Sequence, residues 1–493
     1  MQKTFIGVLI NNDKLLDSVG NNVDTNSLKE VLDFLLKDWN RPNALKATWN
    51  IYTLVDLIGH LLTKKDYETL LSTDKVEVTV DGHVYRIFSS SGRMFSITHK
   101  VSTHFKDNPE VNIYHLSQFF PNDNVNTIEE LTNKGNELLK ALDEMGFNPV
   151  KLSSAVAIYD EKLKTQKIPT IYDLSDEGMD FCDFAYKLMG REWRTVYEIG
   201  HWDKATDYDL RSAYPACIKD FRDTSKCKFW KSKTLQKSDF GILKGTIDIT
   251  SDFSPIVNEY GENIKGKYPD YFTTGQIGFL YHYGLGTFEL EEGRYLKFLS
   301  DDKPFEKMML DLYHSRELGG VKKTFAKSVS VGIGGRFSQE HKEKFGSYYN
   351  PIYSVMTTSG VSLAVGKFIM NNNLVPNLIS IMVDGVLADK DIPIEDNKVI
   401  GDWRKEEVNA LVLSLGNQYV KDTSGTSKKD VHLNTYDTMM KSIKDHPNKN
   451  IYNGVLLVKE MLETKRTFSD YPKTGKDLLN NIYTSTANQF KSN

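Results

Sequence analysis

Hydrophobic positions along this chain follow two periods. Between Asn26 and Lys37, residues Leu28, Val31, Leu32, Leu35 and Leu36 recur at helical spacing and predict an amphipathic helix. Thr127 to Met145 repeats the pattern, and Thr127 with Glu130 three residues on predicts a capping box at its start. Val76 to Ile87 and Met94 to His99 are rich in β-branched and aromatic residues. They predict the strands of a hairpin, broken by Ser-Ser-Ser-Gly. This first stretch reads as one α/β unit, with a boundary near Gly146–Ser153.

From about Tyr197 to Tyr419 the pattern becomes strands interrupted by long helices. Ala205 to Leu210 is a short strand that ends at acidic Asp209. Asp301 to Arg316 and Val321 to Val331 are helical, broken at Gly319-Gly320, and Tyr353 to Asn371 is one long helix. Leu378 to Ala388 is almost unbroken apolar sequence, interrupted by Ser380, Asp384 and Gly385. It predicts a tight hairpin with Asp384-Gly385 at its turn.

Composition sets outer bounds. At 493 residues the chain suggests about two to four domains. Its 40% hydrophobic and 26% charged residues match an ordinary globular protein. No run approaches the length of apolar residues that a membrane span requires, so none is expected. The N-terminal apolar run reads as a strand and not as a signal peptide. Cys182, Cys217 and Cys227 have no metal-ligand spacing and suggest a reduced compartment. Net charge is −4, which argues against a surface coated in nucleic acid but leaves room for a basic groove. Lys219 to Lys237 is such a basic stretch, around Phe229 and Trp230; Arg316 to Arg336 is another. Alone, either reads first as a solvated face.

A turn aspartate such as Asp384 needs no chemistry. A second carboxylate at a neighbouring strand end changes that, and Asp209 is a candidate. Two facing strand-end carboxylates suit a pair of divalent ions about 3.5–4 Å apart. Here the sequence resembles the family B DNA polymerases. Asp209-Leu-Arg-Ser-Ala-Tyr-Pro resembles motif A, Lys327-Ser-Val-Ser-Val-Gly-Ile-Gly-Gly-Arg-Phe resembles motif B, and Ser380-Ile-Met-Val-Asp384-Gly resembles motif C. Ile400-Gly-Asp-Trp-Arg-Lys-Glu406 resembles the element that enters the thumb. The four follow the family's order, and the size is most like the protein-primed phage and plasmid branch.

The resemblance implies an α/β multi-domain chain: an RNase H-like N-terminal domain, then a right-hand polymerase of palm, fingers and thumb. The expected division is 1–150 as a degenerate exonuclease-like domain, 151–300 as palm with an insertion, 301–338 as fingers, 339–410 as palm and 411–493 as thumb. Asp209 and Asp384 would be catalytic and, with the Leu210 carbonyl, would hold two Mg2+ or Mn2+ ions. Leu210, Ser212, Tyr214, Arg316, Lys323 and Lys327 would bind the nucleotide, with Tyr214 excluding a 2′-hydroxyl. Gly335, Arg336 and Tyr419 would contact DNA. The implied partners are primer–template DNA, dNTPs and a terminal protein or other replication protein, with no membrane, in the host cytoplasm.

The match departs from the family in places. Motif C has one aspartate where two are usual. Either Asp384 is the second and Met382 replaces the first, or Asp384 is the first and Val386 replaces the second. The first register is preferred because it keeps the metal ligand. In motif B, Val331, Gly332 and Gly334 replace Asn, Ser and Tyr, and around Asn417-Gln-Tyr419 a Lys is lost. The first exonuclease motif is absent, Asn50 to Asp56 stands in the second motif's place, and Asn133 and Glu137 replace Tyr and Asp of the third. No 3′–5′ exonuclease activity is therefore expected. The short segment from Gln339 to Tyr353 implies low processivity. An RNA-synthesising variant, motivated by Gly334, and a catalytically inactive nucleic-acid-binding relative are the competing readings.

Overall fold

A computed structural model describes residues 3–422, apart from 12, 38–39, 42, 91–92, 103–107, 122, 199, 342–343 and 415–416. The chain packs as two compact units, Met1–Ile168 with Lys307–Ile333, and Pro169–Glu306 with the chain from Gly334 on. Most of the segment expected to form the thumb, 423–493, lies outside the described residues.

The first unit is built on strands β1 (Thr4–Asn11), β2 (Lys14–Asp17), β3 (Asn22–Asp24), β4 (Ala44–Thr48), β5 (Lys75–Val80), β6 (His83–Ser90), β7 (Met94–Lys100) and β8 (Glu110–His115). They form one sheet in the order β3-β2-β1-β4-β8-β7-β6-β5. β1 with β4 and β4 with β8 are parallel; the other pairs are antiparallel. The stretch expected to be one strand from Val76 to Ile87 is two, β5 and β6. Asp81 (φ 49°) and Gly82 (φ 77°) are both left-handed and turn the chain between them. Asp-Gly there is a hairpin signal that the apolar run obscures.

The amphipathic helix Leu28–Leu36 buries Val31, Leu32 and Leu35. Those residues join Ile58, Tyr85, Ile97 and Ile113 in the core. The helix Ile128–Glu144 starts with the expected capping box of Thr127 and Glu130. It packs on β1 through Gly135, where a Cβ would stand 2.4 Å from the Phe5 ring. The helices Glu306–Glu317 and Gly320–Arg336 are separated by Gly319 and Gly320, both left-handed. Phe325 packs on Phe147 with ring centroids 5.3 Å apart, and Lys322 pairs with Glu144 at 2.5 Å.

The second unit holds two sheets and a short ribbon. Strands β9 (Arg194–Val196), β10 (Gly200–Leu210), β11 (Cys227–Ser232), β12 (Phe240–Ile249), β13 (Gly266–Thr273), β14 (Gly286–Phe298), β15 (Glu340–His341), β16 (Lys344–Phe345), β17 (Leu378–Met382), β18 (Gly385–Ala388), β19 (Trp403–Ser414) and β20 (Asn417–Asp422) follow in chain order. Six of them form an antiparallel sheet in the order β20-β19-β10-β18-β17-β9, and four form a second, β11-β14-β12-β13. β15 and β16 pair as a short ribbon.

The helix Pro351–Asn371 is long and apolar enough to cross a membrane, but 67% of its apolar window is buried within the protein. Val361, Val365, Phe368 and Ile369 from this helix share a core with Tyr208, Ile381 and Val386 of the six-stranded sheet. That packing fixes the height of β10 and of the β17–β18 hairpin. The basic stretch after Lys219 enters β11, whose Trp230 stacks on Tyr295 across the strand pair, at 5.7 Å and 20°. Phe229 packs on Phe181. Burial raises the thiol of Cys217 to about 11 and those of Cys182 and Cys227 to about 12, so all three stay protonated at neutral pH.

Candidate active site

β10 is interior to its sheet, between β18 and β19. Its residues from Thr206 on alternate inward and outward, so Thr206, Tyr208 and Leu210 are buried while Asp207 and Asp209 are partly open. On one side Asp209 lies opposite Gly385; on the other it lies opposite Arg404. The Leu210 N–H donates to the Asp384 carbonyl at 3.0 Å. Asp209 and Asp384 are thus carried by neighbouring strand ends joined by a backbone hydrogen bond.

The β17–β18 turn is centred one residue earlier than Asp384-Gly385. Met382 pairs with Gly385, which leaves Val383 and Asp384 as the two central residues. Val383 is left-handed, at φ 59°, a costly conformation for a β-branched residue. Its N–H donates to the Trp193 carbonyl at 2.8 Å, and the Trp193 Nε1 donates to Asn263 at 2.8 Å. Ser212, three residues after Asp209, is also left-handed (φ 54°, ψ 49°), where it begins the short helix Ala213–Ile218. Both turns that carry the candidate carboxylates are therefore held in strained geometry by their surroundings.

Tyr214 lies on that short helix. Its hydroxyl donates to Glu192, whose other oxygen pairs with Arg194 at 2.5 Å. Burial, then Glu192 and Asp384, push the phenol far above its ordinary value, so it remains a donor. A Cβ at Gly334 would stand 3.5 Å from the Tyr214 ring. It would also stand 3.8 Å from Ile218, so a small side chain there would be in ordinary van der Waals contact with both.

Three contacts dock the Ile400–Glu406 element. The Arg211 N–H donates to the Asp402 carbonyl at 2.9 Å, and the Gly401 N–H to the Arg211 carbonyl at 2.9 Å. Trp403 stacks on Phe368 at 3.8 Å and 15°. Arg404 then reaches Asp209: Nε donates to Oδ2 at 2.7 Å, and Nη2 lies 2.7 Å from the same oxygen as an ion pair. Gln418, on β20, donates to the Met382 sulfur at 3.3 Å and accepts from Ser380 at 2.7 Å.

The second unit thus brings together Asp209, Leu210, Ser212, Tyr214 and Asp384. Lys323 and Lys327 are exposed one turn apart on their helix, and Arg316 is on the preceding one; all three belong to the first unit. Gly335 is exposed and Arg336 bonds Gln339 at 2.5 Å. Tyr419 pairs with Leu411 through the backbone, and its side chain lies outside the described residues. Sequence reading missed Glu192, Arg404 and Gln418 as site residues. Arg404 needs only the β10–β19 register to be found; Glu192 and Gln418 carry no local signal.

Among the described residues no group of three or more His, Cys, Asp or Glu is poised to hold a metal. Asp209 and Asp384 offer carboxylates, and Leu210 a carbonyl. This all-oxygen donor set is the kind that Mg2+ and Mn2+ take, with waters and substrate phosphates completing the shell.

Tyr208 anchors the strand beneath the site. Its fully buried hydroxyl donates to the Lys390 carbonyl at 2.6 Å and accepts from the Ile392 N–H at 2.9 Å. Tyr208→Phe leaves both groups without that partner and is expected to cost about 1–3 kcal/mol. Urea unfolding followed by Trp fluorescence measures it; an unchanged midpoint would show the hydroxyl to be dispensable.

No protein-family model and no curated protein matches the sequence. Solved structures do match. Phi29 DNA polymerase in an orthorhombic crystal form aligns over 87% of this chain and 90% of its own, with a TM-score of 0.56 and 12% identity. The same polymerase complexed with primer–template DNA and incoming nucleotide substrates gives the same values, and its complex with single-stranded DNA a TM-score of 0.55. The chain has the fold of these structures.

Proposed function

We propose that this protein is a template-directed DNA polymerase that uses a two-metal mechanism. The observation that carries the reading is the junction of Asp209 and Asp384 on adjacent strand ends, locked by the Leu210–Asp384 hydrogen bond. The strained turns on both sides support it, as does the phi29 polymerase fold.

Asp209, Asp384 and the Leu210 carbonyl would hold the ions. Bound there, Mg2+ or Mn2+ supplies activation of the primer 3′-hydroxyl and charge neutralisation on the leaving pyrophosphate. The burial of Val386 in the hydrophobic core supports the register in which Asp384, not residue 386, is the ligand. Tyr214, held by Glu192, excludes a 2′-hydroxyl and selects dNTPs. Lys323, Lys327 and Arg316 grip the triphosphate, and Gly335, Arg336 and Tyr419 contact DNA. This reading takes 301–338 as fingers, 151–300 and 339–410 as palm and 411–493 as thumb.

The first unit is read as an RNase H-like domain without proofreading. Its antiparallel β3-β2-β1 strands continuing into parallel β4 and β8 support the fold. Asn50 caps the helix Ile51–Leu61, and Glu137 pairs with Lys134 at 3.0 Å, which gives both residues structural work. A phage or plasmid source, a terminal-protein partner and a host-cytoplasmic setting complete the proposal.

Purified protein incubated with a 5′-labelled primer–template tests it. Extension with dNTPs and Mg2+, lost in EDTA and much weaker with rNTPs, is the expected result, with no 3′ shortening when nucleotides are withheld. Failure to extend in either Mg2+ or Mn2+ would sink the polymerase reading in favour of an inactive binding relative. Preferential rNTP use would favour RNA synthesis, the variant that Gly334 suggests.

A further inference from the structure

Arg404 is not explained by the reading above, although it touches the residue at its centre. The cross-strand register sets Arg404 opposite Asp209, and Trp403, stacked on Phe368, pins the start of β19. The guanidinium is therefore delivered to Asp209 by the fold. Its Nε and Nη2 both converge on Oδ2. Guanidinium is charged at every accessible pH, so the pairing cannot be relaxed by deprotonation.

The pair is asymmetric. The Asp209 side chain is 27% exposed and that of Arg404 55%. Asp209 is held at the end of an interior strand, whereas Arg404 has solvent within reach and a long flexible stem. A divalent cation binding Asp209 competes with the guanidinium for the same carboxylate. The partner that can leave at small cost is the arginine. A positive group at Asp209 also offsets repulsion between it and the neighbouring Asp384 in the absence of metal.

We propose that Arg404 is a built-in counter-ion for Asp209, which occupies its carboxylate until a divalent cation displaces the guanidinium. This rests on the reading of Asp209 and Asp384 as the metal pair. Apparent metal affinity is lowered by the fraction of molecules in which Arg404 holds the carboxylate. Because the pair is partly exposed, the effect is modest, on the order of three- to fivefold.

The test is Mn2+ binding to the full chain without DNA or nucleotide, read from the electron paramagnetic resonance signal of free Mn2+. Wild type, Arg404→Ala, Arg404→Gln, Asp209→Asn and Asp384→Asn are compared. Both Arg404 variants should bind about three- to fivefold more tightly at the site that the Asp variants lose. Thermal melts add a second reading. The Arg404 variants should be less stable than wild type in EDTA, and the deficit should close at saturating Mn2+, because bound metal replaces the lost partner. An ordinary structural ion pair would leave the same deficit in both conditions, and that result would overturn the counter-ion role. So would unchanged or weaker Mn2+ binding in both Arg404 variants while Asp209→Asn abolishes it. If Asp209→Asn and Asp384→Asn leave Mn2+ binding intact, the metal-pair reading itself fails, and the counter-ion role with it.

Discussion

Asp384→Asn is expected to reduce primer extension by about 10³-fold, the scale on which enzymes lose rate when a group stabilising transition-state charge is removed. The substitution keeps the size of the side chain and removes its charge. Its backbone carbonyl still accepts from Leu210, so the turn should keep its geometry. The loss should therefore appear in catalysis and not in folding. Single-turnover incorporation at saturating dNTP measures the first, and circular dichroism with thermal unfolding checks the second. The comparison with residue 386 sharpens the result. Val386 has no carboxylate, is fully buried, pairs with Tyr208 and packs in the hydrophobic core, so its side chain faces away from solvent and any ion there. An Asp384→Asn protein with near-normal extension would mean that the ions, if they bind, are held elsewhere.

Tyr353→Ala should cost the second unit about 5 kcal/mol of stability. The side chain is fully buried and faces three aromatic rings: Phe221 stacked at 5.5 Å, Phe305 edge-on at 5.2 Å and Phe337 tilted at 5.3 Å. Truncation opens a cavity among these three rings, which costs about 3–5 kcal/mol for an aromatic. The hydroxyl also donates to the Arg222 carbonyl at 2.9 Å and accepts from the Thr224 N–H at 3.1 Å. Losing those bonds adds about 1–2 kcal/mol. Tyr353→Phe isolates that second share. Equilibrium urea unfolding of both variants separates packing from hydrogen bonding. Equal destabilisation by Phe and Ala would show that the ring cluster contributes little.

The long elements were readable because their signals are local. The capping box of Thr127 and Glu130 needs only four residues, and Gly319-Gly320 breaks its helices where two left-handed positions demand it. The strand at Asp209 and the apolar hairpin at Asp384 announced themselves by composition. The turns inside apolar runs did not. Val76–Ile87 hid the Asp81-Gly82 turn, and a β-branched Val383 occupies a left-handed position that propensity would give to Gly or Asn. The first turn follows its own Asp-Gly signal; at the second a tertiary contact overrules the local preference, since Val383 is tied to Trp193, nearly two hundred residues away in sequence.

Part of the candidate site was beyond sequence reading in principle. Glu192 meets Tyr214 only because the fold carries it there, and Gln418 reaches Ser380 and Met382 from another strand. A resemblance can transfer the residues a family shares. It cannot supply those that only the packing of this chain brings to the site. That Gly334 lies beside Tyr214 became known only from the packing.

The register of β10 against β19 has a consequence for changes in chain length. Successive partners run antiparallel from Ala205 with Val408 to Leu210 with Trp403, with no irregularity between them. Residues added to the loop before Trp403 leave this ladder in place. One residue deleted between Arg404 and Val408, with the Val408 end held, slides the rest along by one. Trp403 then comes to lie opposite Asp209, and each shifted side chain turns to the other face. The indole would leave Phe368, and a charged side chain would point at the core in its place. An insertion or deletion inside this short ladder therefore rewrites the site more thoroughly than any single substitution.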